Sequence, residues 1–375
     1  MHRYPERVRA LLIVNPSATT TTQLRRDVIA HALASQMDLE VVETRYRGHA
    51  ATLARTAASD GFQLVLTLGG DGTVNETVNG LLRGPARPAR PAEWASHLDG
   101  PAERASAASG PAELTAPSRP AGPASSTGPA AEGAPRRGDE PPCTLPAFAA
   151  LPGGNANVFT RALGLPADPV DATGRIIEAL RAGRQRSIGL GCAGLGGAGD
   201  RYFTFNAGLG LDAEVVRVIE GLRARGRAVT PGLYLWTAVR QFYSVTDRRH
   251  PALTLERDGQ PPIGHLFFSI ISNASPWTYL GRRPVNPSPA ADFDIGLDVF
   301  GLRRMRTVGT LNALRQMIAR RNEPPRGRDV VSLHDQHAFT ISAARPVALQ
   351  VDGEYVGEHE RVTFRAVPDA LRVIA

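Results

Sequence analysis

The stretch LVLTLGGDGTVNETVNGLL (64–82) constrains this chain more than any other. A short β-rich run ends in Gly69-Gly70-Asp71-Gly72-Thr73, and Val74, Val78, Leu81 and Leu82 then recur at i, i+4, i+7 and i+8. The pattern changes from buried strand to amphipathic helix across a glycine turn. Glycines let backbone approach a ligand closely, and the first N–H groups of a helix lack partners within it, so such a turn offers a cradle for phosphate. All 43 basic side chains are arginine, and the chain has no lysine. That excludes Schiff-base lysine chemistry, a GxxxxGK[ST] loop and the strand lysine of protein kinases. An anionic ligand must here be held by backbone amides, arginine or a metal.

The same alternation extends on both sides. VRALLIV (8–14), a helical stretch through Leu24, Val28 and Ala32, LEVVET (39–44) and an alanine-rich helical stretch precede the glycine turn, which predicts an open α/β sheet with right-handed crossovers. Between Gly84 and Pro142 the periodicity stops, and 12 of the 30 prolines fall there. Such a composition buries too little apolar surface to offset chain entropy, so a disordered insertion is expected at 84–142. The α/β pattern resumes with LPAFAAL (145–151) and NVFTRAL (157–163). After a helix near 168–182, short strands at turn-like spacing near 185–193, 201–208, 252–257, 264–273, 295–300, 336–342, 346–351 and 361–366 suggest a mainly antiparallel second domain, with helices at about 211–224 and 303–321. The expected division is an α/β domain over 1–165 and a β domain over 166–375.

Two cysteines, Cys143 and Cys192, make neither a disulfide framework nor a four-ligand zinc site, which favours a reducing compartment. The first apolar run stops at Asn15-Pro16, too soon for a spanning helix, so a cytoplasmic protein is expected. A formal charge of +7 favours anionic partners such as nucleotides or acidic lipids.

Several polar turns share the predicted ligand edge of the sheet. Asp71 sits close enough to a bound phosphate to organise Mg²⁺, while Thr73-x-x-Glu76 also reads as a plain capping box. LPGGNANVF (151–159) repeats strand, glycine pair and helix start, with Asn155 either facing the ligand or acting as an N-cap. Asn15-Pro16-Ser17 ends the first strand as a third polar turn. Asp352-Gly353-Glu354 lies between two strands, where an Asp-Gly hairpin turn is the simplest reading. Asp292, Asp294 and Asp298 surround Gly296 and offer carboxylates that could ligate Mg²⁺ or merely be solvated. Trp277 and Tyr279, beside Arg282 and Arg283, are candidates for exposed contacts to anionic headgroups.

Taken in order, IVNPSA (13–18), ETRYRGHA (43–50), LGGDGTVNETVNGLL (68–82), LPGGNANVFTRALGLP (151–166), FNAGLGLDAEVV (205–216), PAADFDIGLDV (289–299) and VDGEYVG (351–357) resemble the diacylglycerol kinase catalytic-domain family of soluble bacterial lipid kinases, in an actinobacterial form. The resemblance implies an open α/β nucleotide domain, like that of NAD kinases and diacylglycerol kinases, and a β-sandwich domain that receives the lipid, the last residues returning to the first domain. It implies ATP as co-substrate and Mg²⁺. Asn15, Thr44, Gly69, Gly70, Asp71, Gly72, Thr73, Asn75, Glu76 and Asn155 would contact ATP or order its loop, Glu354 would be the general base with Asp71 beside it, and Asp294 and Asp298 would serve the metal. The implied reaction carries the γ-phosphate of ATP to a membrane lipid, with diacylglycerol the first expectation. An NAD kinase or a silent lipid-binding protein of the same fold are the alternatives. Expected partners are a lipid substrate and the anionic inner face of the plasma membrane, without nucleic acid, and a homodimer is compatible.

Overall fold

Leu11, Ile13, Val65, Phe148 and Ala150 point to one face of a parallel sheet, and Ala10, Leu12, Val14, Leu64, Leu66, Ala149 and Leu151 to the other. Both sets are buried, which explains why these strands read as continuous apolar runs rather than as alternating ones. A computed structural model of the chain describes residues 7–18, 22–83, 145–225, 251–281, 283–319 and 323–375. The insertion expected at 84–142 lies outside the described residues, as does Arg282.

The first half runs β1 (Arg9–Val14), α1 (Gln23–Ala34), β2 (Asp38–Glu43), α2 (His49–Thr56), β3 (Leu64–Gly69), α3 (Asp71–Leu82), β4 (Ala147–Pro152), α4 (Val158–Ala162) and α5 (Pro169–Arg181). The second continues through β5 (Arg186–Gly194), β6 (Asp200–Phe203), β7 (Asn206–Gly210), α6 (Leu211–Ala224), β8 (Leu253–Arg257), β9 (Gln260–Leu266), β10 (Phe268–Ser272), β11 (Thr278–Leu280) and β12 (Arg283–Val285). It closes with β13 (Leu297–Leu302), α7 (Thr307–Ile318), β14 (Val330–Gln336), β15 (Ala338–Val351) and β16 (Glu354–Val373). The architecture is mixed α/β, built on one large mixed sheet ordered β14-β13-β10-β7-β15-β16-β4-β3-β1-β2, with β5 and β6 branching from β16 and β8 and β9 from β15.

Strands β2, β1, β3 and β4 are parallel, and α2, α3 and α4 cover one face while α1 and α5 cover the other. Helix α5 starts where Asp168 accepts from the N–H groups of Val170 and Asp171 and where Pro169 cannot donate, a sequence-encoded start. Helix α1 departs from expectation: Ile29 and Leu33 face the core, whereas Leu24 and Val28 are exposed. The apolar residues of α1 occupy two faces, and only the i, i+4 pair nearer the sheet finds a partner.

The β-rich half is antiparallel apart from its junction with the first. Strand β14, absent from the sequence reading, covers an edge of β13 with only Val331 buried, so it lacks the apolar alternation that would announce it. Strands β15 and β16 form a long hairpin whose two-residue turn, Asp352-Gly353, has φ of 47° and 79°. That is the left-handed pair a type I′ turn requires. The far end of β16 lies parallel to β4, pairing Val373 with Phe148, so a single path of strands joins the two halves and carries the hairpin tip to the glycine turns.

Candidate active site

The ends of β3 and β4 meet back to back through glycine. The N–H of Gly153 donates to the carbonyl of Gly69 at 2.8 Å, and a Cβ on Gly154 would stand 2.7 Å from Cα of Gly70. No other residue type allows the two turns this approach, so the pattern GG…GG is set by sterics before any ligand is considered. Gly70 is the extended N-cap of α3 and, having no side chain, caps none of the first amides of the helix. The unpaired amides of α3 therefore open beside the backbone of Gly154, at the carboxyl edge of the parallel strands.

A cleft of about 1140 Å³ opens there, lined by Asn15, Gly70, Asp71, Gly72 and Asn155 from the α/β half and by Asp212, Glu220, Asp352 and Glu354 from the β-rich half. Asp71 is the first residue of α3 and accepts from the N–H of Phe159 at 3.2 Å, which ties the first glycine turn to the start of α4. Burial pushes its pKa up to about 6, against the pull of the backbone amides of Val158, Phe159 and Asn157.

Asp352 is a buried hub. Its Oδ1 accepts from the N–H groups of Phe205 and Asn206 at 3.0 and 3.1 Å. Its Oδ2 accepts from Thr204 N at 2.7 Å, Thr204 Oγ1 at 2.9 Å and Asn75 Nδ2 at 2.8 Å. Through Asn75 the hairpin tip is bolted to α3, and Asn79 one turn on binds both Asn75 and the backbone of Tyr202. The other end of the tip is fixed by Gln350, whose Oε1 accepts from Gly353 N at 2.8 Å while its Nε2 donates to Asn206 Oδ1 and Asp212 Oδ2, both at 2.7 Å. Burial pushes Asp212 up to about 6, with this one side-chain bond pulling the other way.

Two residues beyond Asp352, Glu354 reaches the glycine turn: a Cβ on Gly72 would lie 2.6 Å from its Oε1. Its Oε2 is 3.2 Å from Arg201 and 3.6 Å from Arg47, which also pairs with Glu220 at 3.2 Å. Burial pushes the Glu354 carboxyl up to about 7, opposed by the two arginines and reinforced by the charges of Glu76 and Glu220. A carboxylate poised near neutrality, beside a phosphate cradle, is equipped to take a proton.

The structure divides the residues expected to touch ATP. Asn15, Gly70, Asp71, Gly72 and Asn155 line the cleft. The others stand behind it. Gly69 packs on Gly153, Thr73 accepts from Asn15 Nδ2 at 3.1 Å, and Thr44 donates its N–H to Val14 at the end of β1. Asn75 is fully buried and serves Asp352. Glu76 accepts from Gly48 N at 2.8 Å, so it secures the start of α2 and closes no capping box with Thr73, which sits inside α3. Asn157, not Asn155, is the N-cap residue of α4.

The carboxylates expected to serve the metal stand apart from the cleft. Asp298 is buried on β13, where it accepts from Asp335 N at 3.0 Å and pairs with His334 Nδ1 at 2.7 Å, and Asp294 is exposed at a turn. Neither lines the cleft. The spacing that suggested a ligand set instead serves the turn into β13 and the β13–β14 edge. Tyr279 is likewise no free aromatic, since Arg161 lies 3.2 Å over its ring, whereas Trp277 does line the cleft. Arg47, Arg201, Asp212, Glu220 and Gln350 went unseen in the sequence.

Among the described residues, no group of three or more His, Cys, Asp or Glu side chains has the spacing of a metal cage. Mg²⁺ seldom needs one, being bound through one or two carboxylates and substrate phosphates. Asp71, with one oxygen on Phe159 N and its side chain among those lining the cleft, fits that mode.

Fold and site together define a cleft at the carboxyl edge of a parallel sheet, where two glycine turns meet Asp71 and Glu354. Residues 9–94 match the family model of the diacylglycerol kinase catalytic domain. A diacylglycerol kinase of Bacillus anthracis aligns over 99% of this chain and 98% of its own, at 17% identity and a TM-score of 0.61. A second diacylglycerol kinase-type structure from that organism aligns over the same shares at 20% identity and 0.63. At such identities the likeness shows the fold. A search of curated proteins finds no match.

Proposed function

We propose that this chain is an ATP- and Mg²⁺-dependent lipid kinase that transfers the γ-phosphate of ATP to a lipid hydroxyl, with diacylglycerol the acceptor and phosphatidate the product. The observation that carries the reading is the meeting of Glu354, near-neutral and held by two arginines, with the glycine cradle of α3. Phosphoryl transfer asks mainly for positioning and charge neutralisation, and both are supplied without lysine. The amides of α3 and the backbone at Gly70 and Gly154 cradle phosphate oxygens. Asp71 would hold Mg²⁺, which supplies neutralisation of phosphate charge when bound. Arg47 and Arg201 keep Glu354 oriented at Gly72, where it takes the proton from the acceptor hydroxyl as the hydroxyl oxygen bonds to the γ-phosphorus and the bond from that phosphorus to the β,γ-bridging oxygen breaks, releasing ADP. Asp352 acts by position, pinning the hairpin tip that carries Glu354.

The apolar lining supplied by Trp277, Val216 and Ile219 suits an acyl chain better than a second nucleotide, which favours a lipid over NAD as acceptor. A protein acting on such a substrate works at the membrane surface on the cytoplasmic side. Among the described residues no helix is long and apolar enough to cross a membrane, so the reading is one of peripheral attachment. Labelled ATP offered with diacylglycerol, sphingosine or NAD tests the acceptor class, and label recovered solely in NAD overturns the proposal.

A further inference from the structure

Outside the cleft, α7 presents an unusual outward face. Ala313 and Met317 point into the core formed with Phe300, Leu302 and Val285, while Val308 and Leu311, one turn apart on the opposite side, are 81% and 58% exposed. Arg315 continues that stripe one turn further on, held by Asn312. Arg303, Arg304 and Arg306 crowd the N-terminal end of α7, and with Arg328 they line a recess of about 680 Å³. Asp329 is the one acidic residue in its lining and stands 3.8 Å from Arg304. Between residues 299 and 322 the sequence holds six arginines and no aspartate or glutamate.

The neighbouring hairpin extends the same surface. Helix α7 packs on β12, which pairs with β11, and there Leu280 is 42% exposed beside the exposed Arg283. Strand β11 begins at Thr278, and Thr278 and Trp277 line the cleft. Exposed aliphatic side chains framed by arginine, on elements that lead to the cleft rim, match a surface with an anionic plane over an apolar interior. A protein partner of the same charge would not call for Val308 and Leu311 to stand out singly from a basic face, and a soluble anion would not call for them at all.

We infer that the α7 face, with Arg303, Arg304, Arg306, Val308 and Leu311 at its centre, docks the protein on an anionic lipid bilayer and sets the cleft rim against it. The inference rests on the lipid-kinase reading, because a membrane-held acceptor is what gives docking a purpose. It is tested with the full chain by co-sedimentation with vesicles of phosphatidylcholine alone and with phosphatidylglycerol added. Each arginine near the surface is worth about fivefold in binding, so neutralising Arg303, Arg304 and Arg306 together to Gln lowers affinity for the anionic vesicles by roughly a hundredfold. The same change at Arg55, Arg175 and Arg184 leaves affinity near that of the parent, and Val308→Ser with Leu311→Ser weakens it at unchanged charge. All variants retain transfer to a short-chain, water-soluble diacylglycerol. Failure of the parent to bind anionic vesicles, or binding by the α7 variants equal to the parent's, overturns the docking surface. Vesicle binding through this face without transfer to any lipid overturns the kinase reading and upholds the surface.

Discussion

Replacing Asp352 with Asn keeps the side chain's shape but turns one acceptor oxygen into an NH₂ group. If the NH₂ takes the place of Oδ1, the N–H groups of Phe205 and Asn206 lose their acceptor. If it takes the place of Oδ2, Thr204 N and Asn75 Nδ2 lose theirs, and the Thr204 hydroxyl must turn. Either way at least two buried donors go unpaired, at about 1–3 kcal/mol each, for a loss of roughly 2–6 kcal/mol. Against a typical domain stability of about 5–15 kcal/mol that is a large share. Urea unfolding followed by circular dichroism measures it as a fall in the midpoint at constant slope. Glu354→Gln is the matched control, because Glu354 makes part-buried ion pairs and no backbone bonds of this kind, and its midpoint does not fall below the parent's. An Asp352→Asn midpoint equal to the parent's, with transfer abolished, would refute the assignment of Asp352 to positioning and move it into the chemistry.

The near-neutral Glu354 makes kcat/KM rise with pH through about 7, and Arg201→Gln, by removing a charge that holds the carboxyl down, moves that limb to higher pH; an unmoved limb assigns it to another group. Since the folded pKa lies above the ordinary 4.5, stability contributed by this carboxyl is full below about 4.5 and is lost as pH rises through about 7, a dependence that Glu354→Gln removes in unfolding titrations. Gly154→Ala sets a Cβ 2.7 Å from the Gly70 backbone, which cannot give way as a side chain can, so destabilisation of about 1–3 kcal/mol and loss of ATP binding by calorimetry are expected together. Gly72→Ala meets only the carboxylate end of Glu354 at 2.6 Å; its midpoint holds while kcat falls on the order of a hundredfold from the displaced base.

How far the site can be read from sequence depends on what kind of constraint each residue answers. Gly69, Gly70, Gly153 and Gly154 were legible because only glycine permits the close approach of two strand ends. Asp352-Gly353 was legible as a hairpin turn, and it is one; that its carboxylate also gathers three backbone amides follows from β7 and the preceding loop lying beside the tip, which no local pattern encodes. Arg47, Arg201 and Glu220 belong to three distant segments that meet only around Glu354, and with 43 arginines in the chain none stands out. Asn75 and Glu76 sit in the glycine-turn motif yet face away from the cleft, because the helical period turns them toward β6 and α2. Asp298 bonds to His334 and Asp335 on β14, a placement that acidic spacing around a turn does not reveal, since it does not say which side of a strand will be buried.

The central claim is that Glu354, beside the glycine cradle, deprotonates a lipid hydroxyl for attack on ATP. Single-turnover mixing of the protein with equimolar Mg²⁺-ATP and short-chain diacylglycerol, with products separated by chromatography, tests it most directly. The parent forms phosphatidate within the turnover, and Glu354→Gln binds ATP with parent affinity but forms none. Phosphatidate formed by Glu354→Gln at the parent's rate would contradict the claim, as would ATP consumed by the parent with no phosphorylated lipid.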